Sequence, residues 1–515
     1  MKNSLMKIVL LSTSDRTGGA SIAALRLHKG LRSLGQDSWM LVKDKSGQDP
    51  HVTQLDLTGS DIHKEEDIFR LIGQRVIAEN RTAISNTGFS LPYPGYDVSH
   101  TNVVQAADVV NLHWIALFQS VESVAALLDS GKPVVWTLHD QNPFSGGCHF
   151  SAGCLGYRGD CRDCPQLRQN ALQLPAKILE AKKKYWRRQV TIVAPSRWLA
   201  DCARQSALFG KCRIEVIANS LDHEIYRPID KVFAKKALGL KPERLYLLFS
   251  AFTKHEKRKG FSLLIRALQY CLRQDRFRGL AAAKGIAVLT LGPHETGLEG
   301  LGIPLHPLGM VADDHRIARI YAAADMLVLP SLEENLPNVM LEAMACGTPV
   351  VGFAIGGMPD VIENGVTGMM ATPGSPEDLA EAVLRLAFDS HLRIQQGQYG
   401  RRLIESHYKL SDQSQNYLKL YEELLIAKPP SIAPHMERMP ASEKRPPVGT
   451  AAIDRTFLFS CFRACLEGHF LEKHLGPSRW TTIFRKKWRL FLYILRNSGF
   501  KNATRLVIRK FFNFR

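Results

Sequence analysis

Two glutamates stand eight positions apart in a segment running from Pro330 to Val351, Pro-Ser-Leu-Glu-Glu-Asn-Leu-Pro-Asn-Val-Met-Leu-Glu-Ala-Met-Ala-Cys-Gly-Thr-Pro-Val-Val. Glu334 precedes the helix expected to begin around Pro337, a residue suited to a first helical position. Glu342 lies inside that helix, between Leu341 and Ala343. A carboxylate in apolar surroundings is costly unless it is paired or hydrogen-bonded, and a pair of sugar hydroxyls is a suitable partner. The free backbone N–H groups at the helix start would suit a diphosphate. Spacing alone leaves open two solvated glutamates on an ordinary helix. Lys259 offers a cation in the basic run Lys257-Arg258-Lys259. Gly18 and Gly19 open another helix, where glycine lets backbone approach a phosphate. His139, in Trp136-Thr137-Leu138-His139-Asp140, ends an apolar run, as do His113 and Trp114. Neither Gly-x-Gly-x-x-Gly nor a Walker pattern occurs, which argues against hydride transfer and ATP hydrolysis.

These residues need a frame, and the apolar runs supply one. Lys7–Ser12, Ser38–Val42, Val109–His113, Val134–Leu138, Thr191–Ala194 and Ile214–Ile217 read as short buried strands. A helical pattern over Ala20–Leu34 follows the first of them. A second series has strands at Leu245–Phe249, Ala287–Leu291, Met326–Pro330 and Pro349–Phe353. Helices are expected at Gly260–Tyr270, Ile317–Ala324, Asn338–Cys346, Pro376–Phe388 and Tyr417–Leu425. Buried strands alternating with helices imply an α/β fold with parallel sheets covered on both faces. Ligands in such sheets sit beyond the carboxyl ends of the strands, where the polar and glycine residues fall. The expected division is a first Rossmann-like domain over 1–222, a second over 223–408, a terminal helix over 409–426, a Pro-rich linker over 427–450 and a basic aromatic tail over 451–515.

The Glu334-x7-Glu342 spacing followed by Ala-Met-Ala-Cys-Gly-Thr-Pro-Val-Val resembles the donor-site signature of glycosyltransferase family 4, which has the GT-B fold. Lys259-Gly260-Phe261, Tyr321-Ala-Ala-Ala-Asp325 and Gly356-Gly357-Met358-Pro359-Asp360 support the match, which covers roughly 7–425. The resemblance implies a retaining transferase that moves a sugar from a nucleotide-sugar donor to a glycan or a polyprenyl-linked glycan. It implies that Glu334 meets the transferred sugar, Glu342 the ribose hydroxyls and Lys259 the diphosphate. Gly18, Gly19, Asn335, Leu336 and Pro337 would line the donor, and His139 would act near the reacting sugar. The family places an arginine shortly before the lysine; here the loop reads Lys254-His-Glu-Lys-Arg258-Lys259, so Arg258 or Lys254 takes its place. A catalytic metal is not expected. A GT-B epimerase or phosphorylase, and a catalytically silent scaffold, are the competing readings.

Four cysteines, Cys148, Cys154, Cys161 and Cys164, fall within the glycine-rich segment 146–165. Thiolates so grouped suit a structural zinc, and reduced thiols are the alternative. Loss of such a metal is expected to loosen the loop and lower stability without abolishing donor binding, the expected donor site lying elsewhere, in the second domain. The segment His139-Asp-x-x-Pro-Phe-x-Gly-Gly-Cys-His149 resembles bacterial exopolysaccharide and colanic-acid-type sugar transferases. The chain of 515 residues carries a net charge of +18. From Lys473 onward there are twelve Lys or Arg and no acid, interleaved with aromatics such as Trp480, Phe484 and Trp488. This composition suits an anionic membrane surface and makes nucleic acid the lesser expectation. With no apolar run long enough to span a bilayer, the expected location is cytoplasmic, peripheral at the inner membrane face.

Overall fold

The computed structural model describes residues 5–57, 77–78, 80–85, 87–92, 95–168, 173–186, 190–250, 256–292 and 297–427. Lys254, nearly all of the Pro-rich linker and the whole basic tail lie outside the described residues.

Two parallel sheets organise the chain. The first contains β1 (Lys7–Ser14), β2 (Asp37–Asp44), β3 (Val52–Gln54), β4 (Val109–Leu112), β5 (Val134–Thr137), β6 (Thr191–Ala194) and β7 (Ile214–Val216). Their order is β3-β2-β1-β4-β5-β6-β7. The second contains β8 (Leu245–Ser250), β9 (Ile286–Leu291), β10 (Leu305–Gly309), β11 (Met326–Leu329), β12 (Val350–Phe353) and β13 (Gly368–Ala371), ordered β10-β9-β8-β11-β12-β13. The strand order reverses between β1 and β4 in one sheet and between β8 and β11 in the other. A ligand crevice opens at such reversals, beyond the strands' carboxyl ends. The two Rossmann-like sheets anticipated from the apolar runs are present.

The central strands β4, β5, β6, β11 and β12 are buried at every position, as strands covered on both faces must be. Covering the first sheet are α1 (Gly19–Ser33), α2 (Asn102–Ala106), α3 (Val121–Leu128), α4 (Leu174–Tyr185) and α5 (Arg197–Arg204). Around the second lie α6 (Lys231–Ala237), α7 (Phe261–Arg273), α8 (Asp275–Ala282), α9 (Asp314–Ala323), α10 (Asn338–Ala345), α11 (Pro376–Phe388) and α12 (Ser390–His407). Helices α3, α5, α6, α9, α11 and α12 each start at a Ser or Asp whose side chain accepts a backbone N–H three residues on. Each such cap is worth about 1 kcal/mol.

The last described helix, α13 (Leu410–Ile426), does not stay with the second sheet. It packs on α1, and Tyr417 and Tyr421 enter the core beneath β1, β2, β4, β5 and β6. The Tyr421 hydroxyl accepts from Asn111 Nδ2 at 2.7 Å, and the Tyr417 hydroxyl lies 3.0 Å from Thr137 Oγ1. The chain thus crosses back to close the first domain.

Candidate active site

The loop between β11 and α10 carries Glu334 into the space between the sheets. Two glycines press against its backbone. A Cβ on Gly356, whose φ is +53°, would stand 1.7 Å from the Glu334 carbonyl oxygen; one on Gly357 would stand 2.2 Å from that of Asn335. Side chains there would push the loop outward, so the Gly356-Gly357 pair sets its position.

Glu334 is 8 % exposed. Its Oε1 accepts from Lys259 Nζ at 2.5 Å and from Ser331 Oγ at 3.0 Å, and its Oε2 lies 3.1 Å from Arg258 Nη1. Burial opposes ionisation, but Lys259 and Arg258 outweigh it and hold the carboxyl down at about 2. Arg258 is itself buried and spent: it donates to Glu256 and to the Glu333 carbonyl, and its guanidinium lies 4.1 Å above the Phe150 ring. It serves as a brace under Glu334. Lys259 is the more accessible cation, its side chain 23 % exposed.

Glu342 lies within α10 and is 6 % exposed. Its Oε1 accepts from Arg26 Nη2 at 2.7 Å and its Oε2 from the Tyr321 hydroxyl at 2.9 Å. Arg26 belongs to α1, so this ion pair joins the two domains. An ionised carboxylate has about four acceptor directions; each oxygen therefore keeps one. The expected cost of a carboxylate in an apolar helix is met by this internal pairing.

The residues after Glu334 form a seam. Asn335 accepts from Ser196 Oγ at 2.7 Å and turns its amide toward the carbonyls of Leu138 and His139, each at 3.4 Å. Leu336 packs into the second domain's core, and its carbonyl accepts from Asn219. Pro337 sits one position before the helix, at the cap, and Asn338 is the first helical residue. The helix expected from Asn338 thus starts there, and Pro337, with an extended ψ of 123°, is its cap and not its first residue. Asn338 Nδ2 donates to the Gly19 carbonyl at 2.9 Å. The Gly18-Gly19 turn, with Gly18 at φ +85°, and the start of α10 therefore adjoin across the cleft. Two helix N-termini bring unbonded backbone N–H groups to the same place.

On the first-domain side, His139 Nε2 lies 3.0 Å from His113 Nδ1. Burial lowers both histidines, His139 to about 4, so the pair is neutral at pH 7. Asp140 accepts from His149 Nδ1 at 2.6 Å, from Trp114 Nε1 at 2.9 Å and from the Asn142 N–H. His149 Nε2 in turn lies 2.7 Å from Ser90 Oγ. Burial acts against the Asp140 charge, yet His149 keeps its carboxyl below the ordinary value.

The cysteine segment follows this network. Cys148, Cys154, Cys161 and Cys164 share one neighbourhood, in which Gly156 donates its N–H to Cys154 Sγ. Burial pushes the thiols of Cys148, Cys161 and Cys164 upward, Cys161 to about 11. Among the described residues no three Cys, His, Asp or Glu side chains are placed to hold a metal ion. The segment is not remote from the loop between β11 and α10, as its place in the other domain led one to expect. Phe150 stacks under Arg258, and the Ala152 N–H donates to both carboxylate oxygens of Glu333, at 3.1 and 2.9 Å. A loop spanning the cleft cannot be assigned to one domain by its position in the chain.

Arg26, Tyr321, Ser331 and Ser196 complete the site; Tyr321 and Ser331 stand in segments that carried the family resemblance but were given no role, and Arg26 and Ser196 carried no local signal. Arg26 looks like any helical arginine, and only the apposition of α1 and α10 makes it a partner of Glu342. Among the described residues no helix is long and apolar enough to cross a membrane.

Comparison with known proteins bears on this site. A family described as glycosyl transferases group 1 matches residues 244–389. The D-inositol 3-phosphate glycosyltransferase of Actinosynnema mirum is 34% identical over 194 residues, 35% of this chain and 45% of that protein. The chain thus spans about half the length of the curated relatives it matches. In three dimensions it is similar to sucrose-phosphate synthase from Thermosynechococcus elongatus, with a TM-score of 0.57 at 18% identity, covering 81% of this chain and 99% of that one. Anabaena HepE, solved with UDP-glucose, gives a TM-score of 0.54 at 16% identity over 81% of this chain and 100% of that one. Residues 244–389 thus match the glycosyl transferases group 1 model, in a chain whose two parallel sheets have the GT-B fold of the solved neighbours.

Proposed function

We propose that this chain transfers a sugar, with retention, from a nucleotide-sugar donor held by the second domain to a hydroxyl acceptor held by the first. One observation carries the reading: two buried carboxylates, Glu334 and Glu342, flank the N-terminus of α10 with Lys259 beside them and the Gly18-Gly19 turn opposite. In this reading Glu342 uses its two remaining acceptor directions for the ribose hydroxyls. The diphosphate lies at the helix start and takes Lys259 from Glu334. Glu334, still braced by Arg258 and Ser331, turns its freed oxygen to the hydroxyls of the transferred sugar. Charge developing on the leaving diphosphate meets a cation and helix N–H groups already in place, the arrangement that lowers such barriers most. The diphosphate itself accepts the acceptor's proton on the same face, so no protein nucleophile is needed. His139, neutral and fixed by His113, orients the acceptor side.

The donor class gains support from relatives named as glycosyltransferases and from a neighbour of like fold solved with UDP-glucose. We infer a glycan or polyprenyl-linked glycan as acceptor, in cell-surface polysaccharide biosynthesis. The basic aromatic composition of 451–515 supports delivery at an anionic membrane. D-inositol 3-phosphate, named in the relatives, is the alternative acceptor. Calorimetric titration with UDP, GDP and their sugars, followed by transfer assays on both acceptor classes, tests the reading. Binding followed by sugar transfer supports it. Hydrolysis or phosphate-dependent cleavage without transfer replaces it by an epimerase or phosphorylase, and failure of every nucleotide to bind removes it.

A further inference from the structure

Arg26 lies about two helical turns beyond the Gly18-Gly19 turn, on α1, and is 8 % exposed. Its guanidinium is held firmly: Nη2 donates to Glu342 Oε1 at 2.7 Å, and the group lies 5.1 Å above the Tyr226 ring. The other tip, Nη1, is buried and has no hydrogen-bond partner among the described residues. A buried charged donor without an acceptor is costly. Nη1 therefore stands as a free donor beside a carboxylate that retains free acceptor directions. A ribose hydroxyl, which donates and accepts at once, matches that pairing. A phosphate oxygen, which only accepts, would use half of it.

We propose that Arg26 is a nucleotide-binding residue lent to the donor site by the first domain, its Nη1 donating to a ribose hydroxyl oxygen whose hydrogen Glu342 accepts. This rests on the glycosyl-transfer reading and extends it: the ribose is recognised from both sides of the cleft. Bound nucleotide then ties α1 to α10, and donor affinity depends on how the domains are closed.

The experiment is calorimetric titration of the full-length protein with UDP, or with GDP where wild type prefers it, and with the 2′-deoxy and 3′-deoxy forms of the same nucleotide. Arg26→Lys keeps a cation for Glu342 and loses the second donor branch. It should bind the nucleotide about tenfold more weakly, the worth of one charge-assisted hydrogen bond. For the deoxy form lacking the hydroxyl that Nη1 holds, wild type and variant should differ by less than about twofold. A merely structural role would weaken all three ligands alike, and that result, or an unchanged Kd for the parent nucleotide, overturns the proposal. Should Arg26→Lys fold poorly, the double variant Arg26→Gln/Glu342→Gln removes both charges together, and its comparison with Glu342→Gln, which keeps the Arg26 guanidinium, reads the same contribution. Equal affinities of those two also overturn it. A wild type that binds no nucleotide removes the glycosyl-transfer reading itself, whereas binding that is insensitive to Arg26 leaves that reading standing and removes only this one.

Discussion

Replacing Glu334 by glutamine changes a charge and almost no volume, so its effect isolates the ion pairs at the loop between β11 and α10. In the folded protein the carboxyl is held near 2, against an ordinary value of 4.5. At about 1.4 kcal/mol per pH unit, that gap corresponds to roughly 3 kcal/mol of stability at pH 7. The folded value is depressed, so the unfolded chain binds more protons between the two values. Stability from this group is complete above about pH 4.5 and is lost as pH falls toward about 2. Glu334→Gln should therefore cost about 3 kcal/mol near pH 7 and only about 1 kcal/mol near pH 3, where wild type has surrendered most of the advantage. Relaxation lowers the first figure somewhat, because the Lys259 side chain is 23 % exposed and can turn to water, whereas Arg258 at 7 % cannot. Differential scanning calorimetry of both proteins across this range gives the measurement. A deficit equal at both pH values, or none near neutrality, would refute the idea that Glu334 is held ionised by its two cations.

Gly356→Ala should destabilise the second domain by more than about 2 kcal/mol, since the new methyl meets the Glu334 carbonyl in a backbone conformation unfavourable to alanine; thermal unfolding checks it, and a shift under one degree would be the contrary result. Tyr421→Phe should cost about 1–2 kcal/mol by leaving the buried Asn111 amide without its acceptor, seen as a lowered urea midpoint of the first domain. Phe150→Ala should cost about 3 kcal/mol and also weaken nucleotide binding, because the ring supports Arg258 across the cleft; calorimetry showing stability lost with affinity unchanged would sever that link. Deleting 451–515 should release the protein from anionic vesicles while soluble acceptors are still glycosylated, with basic residues contributing about 1 kcal/mol each at the surface; equal co-sedimentation of both forms removes the anchor.

Local pattern was enough for most strands of the two sheets and for the loop between β11 and α10. Runs such as Met326–Leu329 are buried on both faces, and full burial writes itself into sequence as uninterrupted apolar residues. The edge strands β3, β10 and β13 escaped that logic, though the edge strand β7 did not. β10 carries Pro307 and is half-buried, as an edge allows, so Leu-His-Pro-Leu-Gly reads as loop. The spacing of Glu334 and Glu342 was legible because one loop and one helix hold it within a short stretch of chain, whereas Lys259 meets Glu334 across 75 positions. What surrounds them was not. Arg26 reaches Glu342 across 316 positions, and Asn111 reaches Tyr421 across 310. Hydrophobic periodicity states that a helix buries one face but not against which sheet, and α13 could have covered either. Whether a buried carboxylate awaits a ligand or is already paired depends on groups from distant elements. Sequence by itself determined the elements and the residues able to do chemistry; the packing of α1 against α10, and of the Phe150 loop against Arg258, decided which of them stand charged, braced and within reach of one another.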